Sequence, residues 1–548
     1  ISTHLKSIKG KLWIFFYRNV CQKYKDIISK SHQIYSGTPA IYQLNVEKTE
    51  LESLTQITFG KKNINKINKT ILFVGESGAG KSTLINTMVN YAMGVKWEDK
   101  IWFQIVEEDG RNQSDSQTTD VIVYEIFGFE GKTMPFSLTI IDTPGFGDTR
   151  GIEYDANVSH RLFDLFRSED GVYEIHAVGL VMKATDNRVN DRLSYVLNSV
   201  MSLFGRNLEN NIVALLTHSD GQRPRNAIEA LEQTKIKCAK NEKNQPVYFL
   251  FDNCQNEDRT EEEDAEFLQI ADKISDKGMR ALTEFLQNTA PKRLMTTAQV
   301  LNERISLMAS VQNLQARIQL TEQKQKEINA IQEALKKHSE EMSRNENFTV
   351  EIVGVYKVKE PTKSRKLFML SFFEKAMCCT VCEENCHYPG CTLALSPSYC
   401  EVIQEGRCTV CTGKCPASAH VREAWRYVNK TRRVQWTMKA MEEKYMKNKA
   451  DCEKKVSLLK HMEKDMKELS TQKSQLVDEA FRHVVRLEQI ALKVDSVSTF
   501  LYLDFLIEKL KEKGDGAKVQ KLEEMKSRQD EGTKLALQYV WGKITDTM

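Results

Sequence analysis

Glycine, lysine and hydroxyl residues stand early in the chain at the spacing of a phosphate-binding loop. The segment Gly75–Ser82 has the pattern G-x-x-x-x-G-K-S, between the apolar run Ile71–Val74 and a helix-compatible run. Its glycines let the backbone curl so that successive N–H groups point at phosphate oxygens, while Lys81 faces the β- and γ-phosphates and the Ser82 hydroxyl binds Mg²⁺. The predicted nucleotide-binding residues here are Gly75, Ser77, Gly78, Ala79, Gly80, Lys81, Ser82 and Thr83.

A second motif of the same chemistry follows the apolar run Leu138–Ile141. It is Asp142-Thr-Pro-Gly145, in which Asp142 would hold Mg²⁺ through a water and the Gly145 N–H would contact the γ-phosphate. A threonine between the two motifs should bind Mg²⁺ when the γ-phosphate is present. Thr118 is our choice, with Thr119 as the alternative, although either could be a solvated threonine at the start of a strand.

The residues Thr217–Asp220 follow another apolar run and are the candidate for reading the base. They stand where a G domain carries N-K-x-D, and the Asp220 carboxylate could accept from both the N1–H and the 2-amino group of guanine. Adenine offers no such pair of donors, so the motif favours GTP and GDP over adenine nucleotides. Thr217 and His218 replace the Asn and Lys of a strict match, and Asn253 lies where a loop would close over the base.

Nine of the thirteen cysteines fall between Cys378 and Cys415, in two similar stretches. Each stretch has the pattern C-x-x-C-x-x-x-C with a histidine nearby, which supplies the four ligands of a closed tetrahedral zinc site. We predict structural Zn²⁺ on Cys379, Cys382, Cys386 and His387, and on Cys408, Cys411, Cys415 and His420. Disulfides and an iron–sulfur cluster are the alternatives.

Strand and helix patterns alternate between about residues 70 and 287, which predicts an α/β domain with a doubly wound, largely parallel sheet. The runs Val121–Ile126 and Leu138–Ile141 are too close for a helical crossover and should form an antiparallel hairpin. Helical patterns follow the domain, with the cysteine-rich module between them.

The predicted segments are 1–66 (helical and connecting), 67–287 (G domain), 288–347 (helical), 348–420 (Cys/His-rich) and 421–548 (helical). The apolar stripes of both helical segments fit packing within one chain, with self-association as the alternative. The basic residues from Lys414 to Arg433 are expected on a solvated helix face rather than at nucleic acid.

The blocks Gly75–Thr83, Asp142–Gly151 and Thr217–Asp220 resemble the septin/Toc/GIMAP branch of P-loop GTPases. The resemblance covers about residues 67–287 and is greatest to the immunity-associated GIMAP type and its larger multidomain relatives. It implies nucleotide-dependent pairing of G domains, slow hydrolysis, and assembly into polymers or scaffolds on membrane surfaces. It also implies that Arg188 reaches across the pair as an arginine finger, the alternative being a solvated arginine.

Phe146 follows Gly145, where many signalling GTPases keep a glutamine that orients water. A phenyl ring cannot do this, so the residues also favour slow hydrolysis that depends on a partner. The first alternative is a scaffold that retains nucleotide with little turnover. The second is an effector role of the cysteine module, binding protein or nucleic acid.

The 548 residues carry a net charge of only +3 and no apolar run of membrane-spanning length. We expect a cytoplasmic protein, and the family resemblance implies a homodimer or oligomer formed through the G domains. The identity of its protein effector is not given by the sequence. A membrane surface stays open as a partner through residues 1–20, and nucleic acid is not expected. The chain begins at Ile1 rather than Met, so we expect sequence to precede it.

Overall fold

The computed structural model describes residues 23–51, 54–107, 120–147, 152–167, 171–185, 191–344, 349–362, 364–367, 370–373, 375–388, 396–437, 454–494 and 496–545. They form two compact units, each assembled from separate stretches of chain. Unit 1 comprises Ile1–Leu301, Ile490–Ser498 and Arg528–Met548, and unit 2 comprises Asn302–Gln489 and Thr499–Ser527.

Unit 1 contains an α/β domain. Its strands are β1 His32–Tyr35, β2 Ala40–Gln43, β3 Glu47–Leu51, β4 Leu54–Phe59, β5 Asn68–Gly75, β6 Ile101–Gln104, β7 Ile122–Ile126, β8 Ser137–Asp142, β9 Glu174–Ile175, β10 Ala177–Lys183, β11 Ile212–Thr217, β12 Tyr248–Leu250 and β13 Lys292–Arg293. Its helices are α1 Lys25–Ile28, α2 Lys81–Met93, α3 Ile152–Arg167, α4 Asp191–Ser202, α5 Arg225–Gln233 and α6 Glu262–Asn288. The helix α7, Met295–Arg344, starts in unit 1 and continues in unit 2.

The central sheet of unit 1 has eight strands in the order β12-β11-β10-β5-β8-β7-β4-β3. From β8 to β12 the neighbours are parallel, while β7 pairs with β8 antiparallel. The predicted hairpin and the predicted α/β class are therefore confirmed. Ile71 to Val74 on β5 are fully buried, as expected for a central parallel strand that is covered on both faces.

Among the described residues 23–51 and 54–66, the structure differs in part from the prediction. Residues His32–Tyr35 form β1 rather than helix, and β3 and β4 in the predicted connecting stretch extend the main sheet beyond β7. Isolated, short, partly polar strands give little sequence signal, because their pairing partners lie far along the chain.

Unit 2 combines long helices with small sheets. Its strands are β14 Thr349–Pro361, β15 Ser364–Leu367, β16 Leu370–Phe373, β17 Ala376–Cys379, β18 Glu384–His387, β19 Ile403–Gln404, β20 Arg407–Cys408, β21 His420–Glu423 and β22 Trp425–Thr437. Its helices beyond α7 are α8 Lys454–Ile490, α9 Val497–Lys513 and α10 Gly516–Ser527, and the last helix, α11 Glu531–Thr545, belongs to unit 1.

Strands β14 and β22 pair antiparallel along their whole lengths, from Thr349 opposite Thr437 to Pro361 opposite Trp425. The helix predicted to begin at Val421 is therefore wrong for residues 421–437. The basic residues Arg422, Arg426, Lys430, Arg432 and Arg433 lie on strands, not on a helix face. The Arg432 guanidinium, for example, lies 4.9 Å from the ring centroid of Tyr356 on the facing strand.

Part of the predicted apolar stripes packs within unit 2. Ile328 and Ile331 of α7 share a buried cluster with Ile352 of β14 and Met462 of α8. Within the part of the chain that the structure describes, no helix is both long enough and apolar enough to cross a membrane.

Candidate functional site

The loop Gly75–Ser82 connects the carboxyl end of β5 to the start of α2. Gly78 and Gly80 have φ angles of 77° and 87°, in the left-handed region that favours glycine. A Cβ at Gly75 would lie 2.2 Å from the carbonyl oxygen of Val181 on β10, so only glycine fits there. The loop therefore has the backbone that the motif predicts, at the N-terminus of a helix.

Lys81 is 6 % exposed, and its Nζ donates to the carbonyl oxygens of Gly75 and Glu76 at 3.3 and 3.0 Å. These bonds hold the ammonium against the loop on which phosphates would lie. Ser82 is half-buried and Thr83 exposed, both in the first turn of α2. Ser77 is half-buried in the middle of the loop.

Asp142 is the last residue of β8 and is fully buried beside Phe73 of β5 in the sheet register. The burial of neighbouring Tyr124 raises the pKa of its phenol, and the Asp142 carboxylate raises it further. Because β5 and β8 are parallel neighbours, their carboxyl ends bring Asp142 to the phosphate loop.

The chain after Asp142 lies directly on the phosphate loop. The Phe146 N–H donates to the Gly75 carbonyl at 3.0 Å, and the Ser77 N–H donates to the Phe146 carbonyl at 3.2 Å. A Cβ at Gly145 would lie 2.4 Å from the Ser77 Cα, so the close approach requires glycine. The Phe146 ring is 1 % exposed.

Thr217 is the last residue of β11, and it connects the candidate base-reading residues 217–220 to the phosphate loop through a hydrogen bond. Its hydroxyl donates to the Ala79 carbonyl at 2.8 Å and lies 3.2 Å from the Met182 carbonyl oxygen. A threonine can thus make the connection between the two loops even though the sequence departs from N-K-x-D here.

Asp220 and His218 are exposed at the same edge of the sheet. The Asp220 carboxylate accepts from the Gln222 N–H at 2.9 Å, which orients it, and His218 has a φ of 52°. Asn253 follows β12, where its Oδ1 accepts from the Ser275 hydroxyl at 3.3 Å. These residues follow the carboxyl ends of β11 and β12, neighbours in the sheet, so they share one rim with the phosphate loop.

Thr118 and Arg188 lie outside the residues that the structure describes, so their assigned roles stay predictions. Sequence reasoning missed a nearby charged contact: Arg192 Nε, in α4, is 2.9 Å from the Glu76 carboxylate in the phosphate loop. No local pattern signals this pair, because its partners are far apart in sequence and meet only in the folded sheet.

The cysteine module gathers its ligand-type side chains across the two repeats rather than within each. One group is Cys379, Cys382, Cys411 and Cys415, and the other is Cys386, Cys408, Cys411 and His420. In each group the ligand atoms all lie within 4.8 Å of one another. The predicted grouping, with one ligand set per repeat, is therefore wrong. Cys386 lies on β18 and belongs to a different group from Cys379 and Cys382, while β21 pairs with β17 and places His420 of the second repeat opposite Cys379 of the first.

His387 does not join either group. Its Nδ1 lies 3.3 Å from Cys400 Sγ and 3.1 Å from the Glu401 carboxylate. Its predicted place among the ligands of the first repeat is not what the structure shows. Hydrogen bonds with Cys386 and then Cys408 lower the pKa of the Cys411 thiol below its ordinary value.

Comparison with known proteins supports the assignment of a P-loop GTPase domain to unit 1. Residues 65–164 match the Septin family model. Unit 1 contains a septin-like P-loop GTPase domain. A GTP-binding protein A from Dictyostelium discoideum is 27% identical over 198 residues, which is 36% of this chain and 38% of that protein.

Solved structures of Toc33 from Arabidopsis thaliana are also similar. One in complex with GDP and Mg²⁺ is 17% identical, with a TM-score of 0.28, over 41% of this chain and 86% of Toc33. A dimerization-deficient mutant of Toc33 is 15% identical, with a TM-score of 0.26, over 41% of this chain and 87% of that one. Since these scores are low, the fold assignment depends on the strand order and the motifs of this chain.

Proposed function

We propose that this protein binds guanine nucleotide with Mg²⁺ and hydrolyses GTP slowly, in a reaction that pairing of two G domains accelerates. The observation that carries the proposal is the convergence of three motifs on one rim of the sheet. The phosphate loop contacts Gly145 and Phe146 on one side and Thr217 on the other. Phosphates, Mg²⁺ and base can therefore be bound together.

Mg²⁺ would be held by Ser82, by Asp142 through water, and by Thr118. A hydroxyl, a carboxylate and water are the oxygen ligands that Mg²⁺ prefers. The ion would neutralise charge on the β- and γ-phosphates, and Lys81 would do so from the other side.

The proposed acceleration of GTP hydrolysis by pairing is argued from Phe146, whose side chain has no polar group. A buried phenyl ring has no group that could orient an attacking water, so another subunit would supply the missing chemistry. Arg188 is the proposed finger, and loss of a true arginine finger lowers the rate by about 10³–10⁵-fold. The resemblance to GTPases that pair across the nucleotide supports this step.

A second candidate function is a nucleotide-dependent scaffold with little hydrolysis. The backbone hydrogen bonds that join Phe146 to Gly75 and Ser77 favour it, because they hold the segment after Asp142 on the phosphate loop without a water-orienting group. In this case nucleotide would be a retained structural ligand.

Structural zinc in the cysteine module is part of the proposal. None of the described cysteines forms a disulfide, and the Cys382 and Cys415 sulfurs are 3.6 Å apart, too far for a disulfide. A dense cluster of cysteines without disulfides fits a reducing cytoplasmic setting. A homodimer or oligomer is the proposed state, with a protein effector as partner and a membrane surface as the alternative partner; nucleic acid is not proposed.

Base selection is tested with Asp220→Asn. An amide in place of the carboxylate loses the acceptor for the guanine 2-amino group and gains a donor for the 2-oxo group of xanthine. We expect the affinity for GDP to fall by at least about 100-fold, or roughly 3 kcal/mol, and that for xanthosine diphosphate to rise. Titration with fluorescent nucleotides measures both.

The matched control is Asp26→Asn, an exposed aspartate in α1, which should bind GDP like the unmodified chain. An Asp220→Asn variant with unchanged preference for GDP would show that Asp220 does not contact the base. Equal binding of GDP and ADP by the unmodified chain would overturn guanine specificity itself.

A further inference from the structure

The two ligand groups of the cysteine module share one residue. Cys411 belongs to both, so seven side chains, six cysteines and His420, make up the two sets of four. Six of the seven are buried, and Cys382 is half-buried. The thiols also form the centre of the module, because the buried cluster there consists mainly of cysteines with Met377, Val402 and Val410.

We propose that this cluster binds two zinc ions joined by a bridging Cys411 thiolate. One ion would have Cys379, Cys382, Cys411 and Cys415, and the other Cys386, Cys408, Cys411 and His420. The proposal rests on the zinc assignment above and adds the number of ions, the crossed ligand sets and the bridge.

The count of ligands requires sharing. Two closed four-coordinate zinc ions have eight ligand positions, and these two groups supply seven side chains. A thiolate sulfur has lone pairs enough to bind two metals, whereas the histidine nitrogen has one. Cys411 is the only member of both groups, so it is the residue that can complete both tetrahedra.

The distances suit zinc. A Zn–S bond of about 2.3 Å in a tetrahedral site places neighbouring sulfurs roughly 3.8 Å apart. The sulfurs of Cys382 and Cys415, from different repeats, are 3.6 Å apart. This contact holds the two repeats together on one ion.

Backbone amides are arranged to stabilise thiolates. The sulfur of Cys408 accepts from the N–H groups of Val410 and Cys411, each at 3.3 Å. The Cys379 sulfur accepts from the Cys382 N–H at 3.3 Å, and the Cys382 sulfur accepts from the Gly413 N–H at 3.3 Å. The Cys411 sulfur accepts from the Cys415 N–H at 3.2 Å. Because six thiolates carry more negative charge than two zinc ions neutralise, such donors stabilise the centre.

His420 is oriented as a metal ligand. Its Nδ1 lies 2.9 Å from the Pro416 carbonyl oxygen, to which a neutral ring would donate. The ring is buried, and its ligand nitrogen lies within 4.8 Å of the sulfurs of Cys386, Cys408 and Cys411. A backbone carbonyl on one nitrogen and a metal on the other is the usual arrangement of a zinc histidine.

The test measures metal stoichiometry and coupling on the full chain. Native mass spectrometry of zinc-loaded protein should show two zinc ions per chain. On titration of metal-free protein with Co²⁺, the paramagnetic signal should rise to about one equivalent and then fall, because a shared thiolate couples two cobalt ions magnetically. Tetrahedral cobalt–thiolate absorption should rise throughout.

Variants assign the bridge. Cys379→Ser and Cys386→Ser should each retain one ion, while Cys411→Ser should weaken both sites. Cys378→Ser is the matched control: this buried cysteine neighbours Cys379, but its sulfur contacts Asn385 and Trp425 instead, so both ions should remain. The cobalt titration of the unmodified chain needs no variant to fold.

Different failures are distinguishable. Two cobalt ions whose magnetic signals simply add, or a single bound ion, would overturn the bridge while leaving zinc in place. No bound metal would overturn the zinc assignment itself. Neither result would change nucleotide binding by unit 1, which is measured separately.

Discussion

His176 shows how a single buried side chain can set the pH range of stability. It is 6 % exposed beside β5, where its Nδ1 accepts from the Thr70 N–H at 3.1 Å and its backbone N–H donates to the Thr70 carbonyl at 2.8 Å. Burial, and then the Lys69 charge, lower the pKa of this imidazole to about 4. The ring is therefore neutral in the folded protein at neutral pH.

The pKa of His176 predicts a loss of stability in mild acid. The unfolded chain takes up a proton near pH 6.5, whereas the folded chain does so only near pH 4, so stability is complete above pH 6.5 and falls between these values. We expect a cost of about 2 kcal/mol at pH 5 from this residue. Urea unfolding of the nucleotide-free protein at pH 7.5 and pH 5 measures it.

His176→Asn is the comparison variant, since an amide oxygen can accept from the Thr70 N–H without titrating. The variant should lose about 2 kcal/mol less than the unmodified chain between pH 7.5 and pH 5. An identical loss in both proteins would show that His176 is not the group responsible.

Residues whose chemistry depends on local spacing could be predicted from the sequence. Gly75 to Ser82 and Asp142 lie where their motifs indicate, because strand, loop and helix are consecutive in the chain. The Arg192–Glu76 contact could not be predicted, and neither could the membership of Cys411 in two groups. Both depend on which strands become neighbours.

At the scale of elements, the last helix, α11, packs on α4 of the G domain within unit 1. Asn198 of α4 is 3 % exposed and donates to the Thr533 hydroxyl at 3.0 Å, while its Oδ1 accepts from the Val497 N–H at 3.0 Å. The rings of Tyr195 and Tyr539 lie 5.1 Å apart. One side chain thus connects three separate stretches of the chain.

Asn198→Ala should destabilise unit 1. The change removes two buried hydrogen bonds and leaves a cavity, so we expect the free energy of unfolding to fall by about 2–3 kcal/mol and the melting temperature by several degrees. Asn207→Ala is the matched control, because Asn207 is exposed and donates one bond, to the Arg293 carbonyl. Equal effects of the two changes would contradict the packing of α11 on α4.

Prediction of helices and strands succeeded for the alternating pattern of the α/β domain and failed for residues 421–437, which form β21 and β22. Residues 425–437 contain the basic side chains of Arg426, Lys430, Arg432 and Arg433, which suggested a helix face. Pairing with β14 makes this segment a strand instead, since an aromatic ring on one strand can cover a charged side chain on the other.

At the scale of the whole molecule, the chain passes between its two units several times. It enters unit 2 within α7, returns for Ile490–Ser498, leaves again, and ends in unit 1 with Arg528–Met548. The sequence suggested consecutive segments, because periodicity identifies elements and not their partners. The five predicted segments remain predictions about which parts fold independently.

The central claim is a GTPase activated by pairing, and the most direct test is phosphate release from GTP and ATP at rising protein concentration. Arg188→Ala is measured beside it, with Arg280→Ala as the control for loss of an exposed arginine. The account predicts release from GTP only, at a rate per molecule that rises with concentration, is unchanged in Arg280→Ala and stays low in Arg188→Ala. A negligible rate at every concentration, with GTP tightly bound, would contradict the account and favour the scaffold.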